Sequence, residues 1–207
     1  EFFMVRVASL KDMVHANYKK KDIAGMSASE QLEKINERTR ELVTLQYNTY
    51  NRSLVPLMHQ HGIVVMDAFE DLSEAQAAFV DRYFEDNVYP VLTPMAVDAS
   101  RPFPLIRNKT LNIAALLSKK KGKAEKEEIE FATVQVPSVL PRLVHIPSED
   151  GNEKTFILLE QVIERNIDKL FLNYDVLCAY PYRVMRNADL SIDEDEAADL
   201  LKEIQKQ

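Results

Sequence analysis

The sequence predicts an α+β chain: a helical hairpin at the N-terminal end, then a mixed α/β domain built on a small antiparallel sheet. Three observations carry this expectation. A capping signature at Ser27 opens a helical run to His61 whose sole proline is Pro56. From Gly62 onward the texture changes to short β-branched runs, beginning with GIVVMDAF. Two further runs, TLNIAALL and EFATVQV, flank the polar connector SKKKGKAEKEE, which makes them a hairpin with a long tip.

The elements follow in order. Phe3, Val7, Leu10 and Val14 recur at helical spacing and form the apolar stripe of a first helix. Lys19, Lys20 and Lys21 sit beyond its negative end, where cations are favoured. IAGM breaks the run. Ser27 and Glu30 form a capping box for the second helix, with Leu32, Ile35, Leu42, Leu45 and Leu54 expected to face inward. Gly62 supplies the left-handed residue that stops it. A strand follows, then a helix with a second box at Ser73 and Gln76 and a Leu72–Ala77 staple, ending before Pro90. Pro90, Pro94, Pro102 and Pro104 impose an extended connection. After the hairpin, RLVHI reads as a strand, KTFILLEQVIERNI as strand into helix, and LCAYPYRVMR as a last strand. The domain boundary is placed at Gly62, giving 1–62 and 63–207. No internal repeat is visible.

Bulk numbers bound the function. Hydrophobic content of 46% in 207 residues permits a packed core. No apolar run reaches the ~18 residues of a membrane-spanning helix, and there is no signal-peptide pattern. The opening EFFMVRVASL lacks an initiator Met and is already in helical register, so the chain reads as a piece of a longer protein. One cysteine, Cys178, forbids an internal disulfide and suits a reducing cytoplasm; its apolar neighbours favour a buried thiol. The net charge of −7 is uneven. Residues 1–62 carry nine basic and seven acidic groups, residues 63–190 fifteen and twenty, and residues 191–207 two and six. Such a balance disfavours nucleic acid and anionic membranes as partners.

No catalytic constellation emerges from spacing alone. Asp193-Glu194-Asp195-Glu196 follows a third capping pair, Ser191 and Glu194, so these acids read as a helix start rather than a calcium loop. His59 and His61 are two residues apart on a helix and cannot chelate together, while His15 and His145 are isolated. KKKGK lacks the spacing of a phosphate-binding loop and continues into AEKEE, as a solvated tip would. Four glycines are too few for a glycine-rich cradle. Arg183 and Arg186 would lie on opposite faces of a regular strand, so they could not jointly grip one phosphate.

Four strings taken together are more telling: EFFMVRVASLKD, PFPLIRNKTLNIAALL (102–117), FATVQVPSVLPRLVHIP (131–147) and YPYRVMRNADLSIDEDEA (180–197). In order and across the whole chain they resemble bacterial polyphosphate kinase. That family reversibly moves the terminal phosphate of ATP onto inorganic polyphosphate through a phosphohistidine. The resemblance implies an N-terminal helical domain, a phox-homology-like head domain, and two further domains that hold the catalytic histidines and the magnesium-contacting arginines. His15, His59, His61 and His145 match none of those motifs, so no catalytic residue and no metal ligand is assigned here, and Mg2+ belongs to the parent enzyme. The family's adenine-side asparagine would fall just before Glu1; of the motif's continuation, Arg6 is the cation placed near the nucleotide, against a plain surface ion pair. ATP/ADP and polyphosphate are the implied partners of the parent, with subunit contacts through the head domain. Its implied location is the cytoplasm, compatible with peripheral attachment to the inner membrane face. A second reading stays open: a stand-alone phox-like module that binds a protein or an anionic lipid, against which the net acidity of the head region counts.

Overall fold

The structure, a computed structural model, describes residues 1–97, 104, 106–119, 129–148, 151 and 153–187. The chain divides into two compact units, Glu1–Thr44 with Met185–Gln207, and Leu45–Val184. That division falls inside the long helical run rather than at Gly62, where the sequence changes texture.

In the first unit, a π-turn over Phe3–Val7 runs into α1 (Ala8–His15). Of the expected apolar stripe only Leu10 is fully buried; Val7 is half-buried, and Phe3 and Val14 are exposed. Asn17 ends the helix at φ 52°, a left-handed geometry that asparagine tolerates. The Asp22 carboxylate then accepts the N–H groups of Ala24 and Met26, each at 2.9 Å, around Gly25 at φ 77°. The capping box at α2 (Ala28–Thr49) is complete: the Ser27 N–H donates to Glu30 Oε2 at 2.7 Å, and the Glu30 N–H donates to Ser27 Oγ at 3.3 Å. The Ser27 backbone N–H, with the Ser27 hydroxyl, holds the Glu30 carboxyl below its ordinary range.

The helical run continues through a second π-turn (Tyr50–Leu54) into α3 (Val55–Gln60). Pro56 explains the π-turn. A proline ring clashes with the carbonyl four residues back and has no N–H to donate, and the widened turn, in which the Val55 N–H bonds the Tyr50 carbonyl, relieves the conflict without ending the helix. Gly62 at φ 68° ends it, as expected. The inward assignment of this helix needs correction. Leu32 and Ile35 are half-buried, but Leu42, Leu45 and Leu54 are 51%, 63% and 48% exposed. Apolar spacing marks a face that favours cover, and no described element covers this one.

The second unit holds two sheets. β1 (Ile63–Val65) pairs parallel with β6 (Lys154–Leu158), which pairs antiparallel with β5 (Leu143–Ile146). The other sheet is antiparallel throughout, in the order β2 (Pro94–Val97), β4 (Ile129–Gln135), β3 (Leu111–Lys119), β7 (Tyr174–Arg183). The sequence anticipated the antiparallel sheet but not the mixed one, whose parallel pair joins strands about ninety residues apart and leaves no local signature. It also read Pro94–Val97 only as extended chain; the segment pairs with β4. The expected β3–β4 hairpin forms, with Asn112 opposite Gln135 and Ser118 opposite Ile129, while its tip, residues 120–128, lies outside the described residues, as do Ser191 and the acids that follow it.

Between the sheets' flanks run α4 (Glu74–Tyr83) and α5 (Leu159–Arg165). The Ser73–Gln76 box is present, and Gln76 Nε2 also donates to the Pro147 carbonyl at 3.0 Å, which ties the cap to the strand layer. The helical run does not stop before Pro90. A π-turn (Phe84–Val88) leads into a 3-10 turn (Tyr89–Val91) that accepts Pro90 near its start, where a missing N–H costs nothing. Alternation builds the core: Ile113, Ala115 and Leu117 of β3, Val144 and Ile146 of β5, and Ile157 of β6 pack with Val80, Phe84, Val162 and Ile163. The Arg165 guanidinium donates to both Asp81 oxygens, at 2.8 and 3.0 Å, and joins α5 to α4.

Candidate functional site

Antiparallel pairing brings the start of β3, the end of β4 and the end of β7 to one edge of the four-stranded sheet, with Leu111 opposite Arg183. The turn before β3 is built there. Thr110 donates its N–H to the Arg107 carbonyl at 3.3 Å and its hydroxyl to the same oxygen at 2.8 Å. Lys109 takes φ 63°, an uncommon geometry for a long side chain, and its N–H donates to the Val184 carbonyl at 2.9 Å. The turn is thereby fastened to the strand that carries Arg183.

A cleft of about 440 Å3 lies at this edge. Its floor is apolar (Leu111, Val136, Leu140 and Leu159) and its rim carries Arg107, Lys109, Arg142 and Arg183, all exposed. No Asp or Glu is among the described residues that line it. Arg142 is committed elsewhere: its Nε and Nη2 donate to Glu160, with Nη2 2.5 Å from Oε1, and the carboxylate is almost fully buried. The side chains of Arg107, Lys109 and Arg183 make no hydrogen bond or ion pair among the described residues. Three cations gathered at one cleft make an anion-attracting rim, because their potentials add over its apolar floor although each is screened by water.

The other residues singled out in the sequence fall as follows. Arg6, in the first unit, donates through Nη2 to Gln31 Oε1 at 2.7 Å and is exposed. Its partner is thus a neutral amide, rather than the ion pair of the bland reading. His15, His59, His61 and His145 are all exposed, and the His145 ring meets the Phe156 ring edge-on at 5.3 Å. Among the described residues no three His, Cys, Asp or Glu side chains converge as metal ligands. Cys178 is half-buried, not a core thiol, because β7 has one face toward solvent and a bulge at Leu177. Arg186 lies past the end of β7, so strand alternation does not relate it to Arg183. Arg107, Lys109 and Arg142 were missed as site residues. Each stands at the margin of a predicted strand, which was the one available signal.

The model of the polyphosphate kinase N-terminal domain matches residues 1–66, and that of the polyphosphate kinase middle domain matches residues 75–207. The chain belongs to the polyphosphate kinase family. It is 50% identical over its full length to a polyphosphate kinase of Lactiplantibacillus plantarum, covering 28% of that protein, and 45% identical to one of Bacillus anthracis, covering 29%. It therefore spans rather less than a third of the curated relatives it matches. The fold is likewise that of the crystal structure of polyphosphate kinase from Porphyromonas gingivalis, with a TM-score of 0.76 over 97% of this chain and 30% of that one, at 24% identity. No described helix is long and apolar enough to cross a membrane.

Proposed function

We propose that this chain is the nucleotide-covering and subunit-contacting part of a polyphosphate kinase, an enzyme that passes the terminal phosphate of ATP to inorganic polyphosphate and back through a phosphohistidine. The observation that carries the reading is the order and extent of the family match: N-terminal and middle domains follow one another along the whole chain. Residues 1–62 act as the cover, with Arg6 at the nucleotide side, and residues 63–207 as the head through which subunits meet. The parent works in the cytoplasm on ATP, ADP and polyphosphate. Family membership does not favour the stand-alone phox-like module.

Phosphoryl transfer asks little covalent chemistry of a protein; it asks for position and for cations to offset charge on the moving group. Magnesium supplies such charge in the parent. The described residues of this chain do not fit a magnesium site, so no step is routed through the metal here. What the chain's own residues do in this reading is bind and exclude. Arg6, held at Nη2 by Gln31, offers the remaining donors of its planar fork to a phosphate or ribose oxygen. The test is exchange. The matching segment of the Lactiplantibacillus plantarum enzyme is replaced by this chain, and ATP-dependent polyphosphate synthesis is measured. Activity within about tenfold of the parent supports the reading; a folded, soluble but inactive exchange protein refutes it. In the active hybrid, Arg6→Ala is expected to raise the KM for ATP, with Gln31→Ala separating loss of support from loss of contact.

A further inference from the structure

We propose that Arg107, Lys109 and Arg183 form a docking subsite for a stretch of the inorganic polyphosphate chain, on the surface of the Leu45–Val184 unit. The choice of ligand rests on the reading of the chain as part of a polyphosphate kinase; the site itself rests on the cleft. By formal count residues 63–190 carry fifteen basic and twenty acidic groups, so a rim of cations with no carboxylate among its described lining residues runs against the average of that segment. The arrangement also costs something to hold. Lys109 sits at φ 63°, a conformation that disfavours side chains with a Cβ, and hydrogen bonds from Thr110 and to Val184 keep it there.

The chemistry selects the ligand class. Each rim cation is exposed, and alone each would bind a free phosphate weakly because water and salt screen it. The three come from two elements, the turn before β3 and the end of β7. A ligand whose negative charges are covalently linked engages the second and third cation at no further cost in translational freedom, whereas separate phosphates pay it each time. Arg107 and Arg183 present planar forks to pairs of phosphate oxygens, Lys109 a compact charge, and Gln135 and Ser138 neutral donors in the same lining. A nucleotide is the poorer fit, because among the described residues no aromatic side chain lines the cleft to stack on a base. Arg142 is a support: its guanidinium is taken up by Glu160 and sets one wall.

The experiment uses the 207-residue chain and end-labelled linear polyphosphate, read by fluorescence anisotropy over a salt series. Because the side chains of Arg107, Lys109 and Arg183 make no hydrogen bond or ion pair among the described residues, Gln substitutions should leave thermal unfolding unchanged, which is checked first. Each of Arg107→Gln, Lys109→Gln and Arg183→Gln is expected to weaken binding about 3- to 10-fold and to lower the slope of log K against log salt by about one. The triple variant should lose about 100-fold or more, and Lys20→Gln, outside the cleft, nothing. Unchanged affinity in the triple variant overturns the proposal. So does competition by orthophosphate, by polyglutamate or by phosphatidylserine vesicles as effective as that by polyphosphate at equal charge. Binding that fails here while the exchange enzyme makes polyphosphate sinks the subsite alone; cleft-dependent binding with an inactive exchange enzyme sinks the family reading of function instead.

Discussion

Glu164 lies one helical turn after Glu160 on α5, and partial burial, with Glu160 and then Glu70 adding like charge, pushes its carboxyl from the ordinary 4.5 up to about 7. Over that window the folded chain keeps a proton that the unfolded chain has lost. Stability therefore falls as pH rises from about 4.5 to about 7, and the penalty is fully present above it. Glu164→Gln should stabilise the chain at about pH 8 by on the order of 1 kcal/mol, a figure reduced for solvent screening, and by little at about pH 4.5. Urea unfolding at the two pH values measures it; equal gains at both would show that charge is not the cause. Arg142 makes the complementary case. Arg142→Ala leaves the buried Glu160 carboxylate without its bidentate partner and should cost about 1–2 kcal/mol, with Glu160→Gln in the same chain recovering part of the loss. A double variant as unstable as the sum of both singles would mean that the pair does not interact. At this scale the sequence was partly readable. From the sequence Arg183 reads as ion-paired or solvated rather than as a phosphate contact, because its neighbours Arg107 and Lys109 are more than seventy residues away in the chain, and only the β3–β7 register brings them together.

Elements were more legible than residues, because their signals are local. The Ser27–Glu30 and Ser73–Gln76 boxes, and the glycine stop at Gly62, each depend on atoms within a few positions of one another. Pro56 and Pro90 were harder, since a proline announces a conflict without saying whether the chain resolves it by stopping or by widening a turn. Here the run adopts π-turns before both and continues. The parallel β1–β6 pair was illegible for the opposite reason: nothing within Ile63–Val65 names a partner at Lys154–Phe156. Gly62 offers the direct test at this scale. Its φ of 68° resists a β-branched side chain, and the next residue enters β1, so strain there opposes both the helix stop and the strand. Gly62→Val should destabilise the chain by about 1 kcal/mol or more, and Gly62→Asn by less, since asparagine tolerates the left-handed region. Thermal unfolding of the pair beside the parent decides it. Equal melting of all three would place the constraint elsewhere.

For the molecule as a whole, the sequence conveyed the fold class but overstated what the long helix buries. Leu42, Leu45, Tyr47, Tyr50, Leu54 and Leu57 are all substantially exposed, although their apolar character reads as a buried face. Composition specifies that such a surface favours cover, whereas the cover depends on residues far away in sequence or in another chain. The same reasoning bears on activity. A phosphoenzyme route needs a histidine held within reach of the γ-phosphate, a cradle of donors for the departing charge, and usually a metal held by carboxylates or by the phosphates themselves. His15, His59, His61 and His145 are all exposed, and none belongs to a cluster of metal-ligating side chains among the described residues. The cations that do converge, Arg107, Lys109 and Arg183, line a cleft with no histidine among its described residues. They can hold a phosphate chain but offer no nucleophile to receive a phosphoryl group. The 207-residue chain alone should thus neither autophosphorylate nor lengthen polyphosphate, and it should bind ATP only weakly, in about the millimolar range, since a few exposed contacts exclude little water. Incubation with γ-labelled ATP and magnesium, with and without a polyphosphate primer, followed by gel and acid-stability analysis, is the measurement. Acid-labile label on the protein that disappears when one of the four histidines is replaced would refute this and move the chemistry into the chain itself.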